Sequence, residues 1–132
     1  MNPLLPDVLA VRRECNESNE LDEREANARL VIELHVPPAL AHFSGHFPGL
    51  PILPGVVQID WAVRLARLHL PGCCAGRRFS ALEGVKFQAL VLPDARLELA
   101  LFWNAAKDRL EFSYTNGQRK CSTGRLVFGA AA

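Results

Sequence analysis

The chain has 132 residues, enough for one domain spanning 1–132 with a moderate apolar core, and 49% of them are hydrophobic. Fifteen Lys and Arg against fourteen Asp and Glu leave a formal charge of +1, without the basic excess of a nucleic-acid binder. No apolar run approaches the roughly 20 residues of a membrane-spanning helix, and the N-terminal residues lack the basic start and apolar stretch of a signal peptide, so the cytoplasm is the expected location. The four cysteines, Cys15, Cys73, Cys74 and Cys121, form no CxxC pair. They read as free thiols in a reducing compartment.

In chain order, Val8, Leu9 and Val11 mark a first strand over Asp7–Cys15, and the polar stretch Asn16–Asn27 reads as an exposed connection. Leu30, Ile32, Leu34 and Val36 alternate within 29–36, a strand with one buried side, and Pro37-Pro38 stops it. Residues 42–55 are too rich in Gly and Pro for regular structure. Pro54-Gly55 then opens a helix from Val56 to about Leu70, with Val56, Val57, Ile59, Ala62, Val63, Ala66 and Leu70 at helical spacing. Pro71-Gly72 ends it. Strand-like segments follow at 78–89, 95–105, 109–116 and 119–128, with turn signals at Lys107-Asp108 and Asn116-Gly117. The sum is an α+β domain in which an antiparallel sheet curls around one long, well-buried helix.

The stretch from His42 to Asp60 concentrates the chemistry-bearing residues. Its loop delivers a histidine, His46, to the region ahead of a helix N-terminus. That end exposes unpaired N–H groups and a partial positive charge, suited to a carbonyl oxygen that becomes an oxyanion. Gly55 has no side chain to block its N–H. Asp60, among Val57, Ile59 and Ala62, would be costly to bury without a partner, and burial would favour its protonated form. A base, a carboxyl group and helix-end donors together suit proton abstraction beside a thioester carbonyl. The residues alone leave alternatives open. A lone loop histidine such as His46 is usually just a polar loop residue, His42 competes for its role, and Asp60 could be a solvated helix residue or a partner for Arg64 four positions on. A metal site from His42, His46 and Asp60 lacks tight ligand spacing, while His35 and His69 read as surface residues.

The motif His46-Phe47-Pro48-Gly49 through Pro51, then Leu53-Pro54-Gly55-Val56, then Asp60, resembles the signature of the 3-hydroxyacyl-acyl-carrier-protein dehydratases, which are hotdog-fold enzymes. The fourteen-residue interval from His46 to Asp60 is similar to that family's interval between base and acid. Downstream, Gly84-Val85-Lys86-Phe87 and Val91-Leu92-Pro93-Asp94 resemble the strand and turn that follow the helix in those enzymes. The resemblance implies a single hotdog domain with His46 as base and Asp60 as acid. It implies that Gly55 offers its N–H to the thioester carbonyl, that the Ile52 carbonyl accepts from the His46 ring, and that Phe47, Val56 and Arg64 lie around the substrate. It further implies a homodimer with histidine and acid from different subunits, and an acyl chain carried on the phosphopantetheine of an acyl carrier protein. No metal or dissociable cofactor is implied.

Two departures stand out. Asp60 replaces the glutamate of the general elongation enzymes, as in the branch that also isomerises the double bond. Arg64 stands where the family often has glutamine, and a guanidinium there favours the carboxylate of Asp60. The run Gln58-Ile59-Asp60-Trp61-Ala62 is similar to the stand-alone dehydratases of aryl-polyene clusters. Trp61 and Phe87 are candidate tunnel liners, and Arg77-Arg78 or Arg64-Arg67 candidate contacts for an acidic carrier. The competing functions are a hotdog acyl thioesterase and a non-catalytic acyl-thioester-binding subunit, which Arg64 beside Asp60 keeps open.

Overall fold

The structure is a computed structural model and describes residues 5–14, 27–38, 52–70 and 77–131. Strands β1 (Asp7–Glu14) and β2 (Asn27–His35) precede helix α1 (Gly55–His69); β3 (Arg77–Phe87), β4 (Arg96–Asn104), β5 (Arg109–Asn116) and β6 (Arg119–Ala131) follow it. All pairings are antiparallel, in the order β1-β2-β4-β5-β6-β3, so β1 and β3 form the edges. This is the hotdog arrangement, a sheet wrapped around one helix. Every described element lies within two or three residues of its expected position.

Side-chain alternation decides which face closes over the helix. Leu97, Leu99, Leu101 and Trp103 of β4 point inward, as do Leu30, Ile32 and Leu34 of β2, and Leu110, Phe112 and Tyr114 of β5. Helix α1 contributes Val57, Trp61, Ala62, Leu65 and Ala66 to the same core, with the carboxamide of Gln58 beside them. The expected helix stripe needs correction here. Trp61 is fully buried and belongs to it, whereas Val56 is 72% exposed and does not. At the first turn the sheet covers only the side that carries Val57 and Gln58.

One turn and one bulge set the register of β6 against β5. The β5–β6 hairpin turns through Gly117 and Gln118, and Gly117 alone of these has positive φ (63°), as a type II′ turn requires. Two residues further on, Thr115 pairs with Lys120 and Tyr114 with Ser122, which leaves Cys121 as a bulge. The bulge changes the parity of β6. Lys120 stays on the outer face while Ser122 turns into the core, fully buried. The carbonyl of Cys121 accepts from the N–H groups of Gln88 (2.8 Å) and Ala89 (3.2 Å), anchoring the exit of β3. Cys121 itself is a free, buried thiol, and burial pushes its pKa up. The other three cysteines lie outside the described residues.

Candidate active site

Helix α1 begins on a short extended strap, residues 52–54. Leu53 is buried and donates its N–H to the Val91 carbonyl at 2.8 Å, which ties the strap to the segment between β3 and β4. Pro54 is the N-cap, with φ −62° and ψ 149°. Its carbonyl accepts from the N–H groups of Val57 (3.1 Å) and Gln58 (3.2 Å). No side chain caps the helix. Among the described residues, the N–H groups of Gly55 and Val56 have no acceptor, and both carry the positive end of the helix dipole.

The ring of Phe87, at the end of β3, lies directly over Gly55. A Cβ at position 55 would fall 2.5 Å from its Cζ and 2.6 Å from its Cε1. Glycine here leaves room for the close approach of the ring, which would have to shift to admit a methyl group. Phe87 is 53% exposed, and Leu90, Leu92 and Val56 add further uncovered apolar surface around the strap and the helix start. Ile52 and Gly55 are half-buried.

Asp60 is not buried. It lies off the helix's covered stripe with its side chain half exposed, and its Oδ2 accepts from Nε of Arg64 at 2.7 Å. The pairing arises because positions 60 and 64 stack one turn apart on the same helical face. The expectation of a desolvated carboxyl thus fails for the single chain. His46, Phe47 and His42 lie outside the described residues.

Directly behind Asp60, three core side chains form a polar cluster. The hydroxyl of Ser122 donates to Oε1 of Gln58 at 2.7 Å, Nε2 of Gln58 donates to the Leu53 carbonyl at 3.3 Å, and the Tyr114 hydroxyl donates to the Gln58 backbone carbonyl at 2.7 Å. Burial, and secondarily the charge of Asp60, push the Tyr114 phenol well above its ordinary pKa, so it stays protonated and acts as a donor. No sequence motif marks any of the three as a site residue. Gln58 was legible, because it shares a helical stripe with Trp61, Ala62 and Leu65. Tyr114 and Ser122 reach it only through the strand order and the β6 bulge.

Two other histidines also differ from expectation. His35 is half-buried, with Nδ1 2.9 Å from Oδ2 of Asp7 and Nε2 2.6 Å from Oδ1 of Asp94. Two carboxylates on the two ring nitrogens favour the doubly protonated imidazolium, and the hydrogen bonds to Asp7 and then Asp94 raise its pKa. His69 is half-buried at the end of α1, its carbonyl accepting from Arg13 at 2.9 Å. A shallow depression of about 300 Å³ on the outer face of the sheet is lined by Arg29, Ala100, Ser113, Lys120 and Thr123 among others. Among the described residues, none of the expected site residues lines it.

Residues 22–125 match the family model described as ApeI-like, ApeI dehydratase. The chain belongs to this family. Its fold superposes with a TM-score of 0.78 on a chain of the dehydratase heterocomplex ApeI:P from Xenorhabdus doucetiae, at 32% identity over 96% of this chain and 100% of that one. An uncharacterised protein from Erwinia carotovora subsp. atroseptica gives 0.79 at 34% identity, covering 96% and 97%. The 3-hydroxyacyl-acyl-carrier-protein dehydratase FabZ of Moorella thermoacetica is 32% identical over 114 residues, 80% of this chain and 79% of that protein. Against the first two curated relatives, the alignment spans 49% and 63% of the relative's own length. Membership in the ApeI-like dehydratases bears out the dehydratase resemblance.

Proposed function

We propose that the chain removes water from 3-hydroxyacyl thioesters on an acyl carrier protein, giving trans-2-enoyl thioesters for fatty-acid or polyene biosynthesis. The observation that carries this reading is a helix start with no side-chain cap, whose Gly55 and Val56 N–H groups meet no acceptor among the described residues, ahead of a solvent-facing carboxylate at position 60 in a dehydratase family. In the reaction His46 takes the C2 proton of the acyl chain. The electron pair moves onto the thioester oxygen, where the helix-end N–H groups hold the enolate. It then returns to form the C2–C3 double bond as the C3–O bond breaks. Asp60 in its protonated form gives its proton to the departing hydroxyl, which leaves as water, and the proton gained by His46 passes back through solvent to restore both groups.

Arg64 must release Asp60 for that step. An exposed i,i+4 pair is worth about 0.3–0.5 kcal/mol, and both side chains are more than half exposed. A substrate hydroxyl can displace the guanidinium at little cost.

The exposed position of Asp60 and the uncovered Val56, Phe87, Leu90 and Leu92 favour a second subunit over the helix start, with His46 and Asp60 contributed by different chains. Subunit mixing tests this reading. His46→Ala and Asp60→Asn homodimers should each be inactive and regain dehydration when exchanged with one another, because one of the two sites is then intact. No recovery would contradict shared sites. A second reading is favoured by the similar chain's occurrence in the heterocomplex ApeI:P: the covering subunit would be a related chain, and native mass spectrometry of co-expressed candidates decides it. The substrate arrives on phosphopantetheine in the cytoplasm, with no metal or dissociable cofactor invoked. No helix among the described residues is long and apolar enough to cross a membrane.

A further inference from the structure

Among the described residues, the core holds two buried polar side chains outside its aromatics, Gln58 at 3% exposure and Ser122 at 0%, and they are bonded to each other. A matched apolar pair would fill such a site at equal or better stability, because removing both partners of a buried hydrogen bond is close to neutral. Stability alone therefore gives no reason for the pair. What it does provide is direction.

Gln58 is anchored at three points. Ser122 on β6 fixes its Oε1, Tyr114 on β5 fixes its backbone carbonyl, and its own Nε2 reaches back five residues to the Leu53 carbonyl. Leu53 is held from the other side through its N–H to Val91. The first turn of α1 and the strap ahead of it are thus tied to two central strands of the sheet at the level of Gly55 and Asp60. The fold uses a β-bulge at Cys121 to aim the Ser122 hydroxyl at this carboxamide. Apolar contacts alone let a helix slide or rotate by fractions of an ångström, whereas directional bonds to both the strap and the first turn do not.

We propose that Gln58, oriented by Ser122 and Tyr114, is a positioning residue that fixes the first turn of α1, and with it the helix-end N–H donors, against the strap and the sheet for the reacting thioester. The inference rests on the proposed function for its catalytic consequence, but its structural core does not.

The decisive variant is Gln58→Leu/Ser122→Ala, which removes both partners and leaves neither side chain unpaired. Single Gln58→Leu strands the Ser122 hydroxyl and is expected to lose more stability than the double variant. In the double variant the melting temperature should stay within a few degrees of wild type, while the Leu53 amide exchanges about tenfold faster and the Leu70 amide at the far end of α1 does not change. With a 3-hydroxyacyl carrier thioester, kcat should fall about tenfold or more and KM should move less than about twofold. Tyr114→Phe should give a smaller change in the same direction. Wild-type exchange at Leu53 in the double variant overturns the positioning role, and so does an unchanged kcat in an active enzyme. If the wild type dehydrates nothing, the proposed function fails, and the exchange comparison still decides whether Gln58 holds the strap.

Discussion

Replacing Gly55 with alanine separates a steric effect on folding from an effect on the helix-end donors. The new methyl would sit 2.5, 2.6 and 3.0 Å from three carbons of the Phe87 ring. Carbon contacts are optimal near 3.5–4.0 Å, so the ring must retreat by about 1 Å. Phe87 is 53% exposed and can yield toward solvent, which puts the cost near the lower end of the usual 1–3 kcal/mol for overpacking, about 1 kcal/mol. Alanine recovers part of that, since glycine in a helix is about 1 kcal/mol worse, though less so at the first position. The net change in stability is expected within about 1 kcal/mol, a shift in melting temperature below about 5 °C for a chain of this size. Catalysis should suffer far more, because the methyl and the displaced ring crowd the Gly55 and Val56 N–H groups. Losing an oxyanion donor lowers kcat by about 10²–10³. Thermal melts paired with mass-resolved turnover of a 3-hydroxyacyl carrier thioester read both quantities. Adding Phe87→Ala should restore stability without restoring turnover. Wild-type kcat in Gly55→Ala would refute the reasoning, since the helix start would then not be where the thioester oxygen is held.

Three other outcomes follow from the geometry. Asp60→Asn should lower turnover by about 10²–10⁴ yet change stability by less than about 0.5 kcal/mol, because the carboxylate is half exposed and, among the described residues, bonded to Arg64 alone; denaturant melts and steady-state kinetics check both halves. Trp61→Ala should cost about 3–5 kcal/mol, a large part of a small domain's stability, so soluble expression and melting temperature should both collapse while Trp61→Phe remains folded. His35 gives a pH dependence of defined sign. Its folded pKa is raised above 6.5 by Asp7 and Asp94, so its stabilising contribution is complete below about 6.5 and disappears as pH rises through the elevated value. Melting temperatures across pH 5.5–9 should fall through that window in wild type and lose this step in His35→Gln.

Much of this molecule was legible in the sequence because its signals are local. Period-two alternation in β2, β4 and β5, the Asn116-Gly117 hairpin and the Pro-Gly boundaries of α1 each specify an element without knowledge of the rest. Asp60 shows where locality ends. Its neighbours in sequence are apolar, but one helical face is covered by the sheet and the other is not, and position 60 falls on the second. Facing was equally decisive for Gln58, whose place on the buried stripe was readable while its partners were not. Ser122 reaches it only because a bulge reverses the parity of β6, and Tyr114 only because β5 lies centrally in the strand order. The His35 clasp joins the start of β1, the end of β2 and the left-handed turn at Asp94 (φ 70°), three places that no sequence period connects.

The central claim, that His46 and Asp60 with the helix start remove water from a carrier-bound 3-hydroxyacyl chain, is tested most directly by product mass. The purified protein is incubated with a 3-hydroxyacyl carrier thioester, and the carrier is weighed intact. Loss of one water with the thioester preserved, abolished in His46→Ala and in Asp60→Asn, is the predicted result. Release of free acid would instead identify a thioesterase, an unchanged carrier would leave only binding, and undiminished water loss in His46→Ala would contradict the assignment of the base.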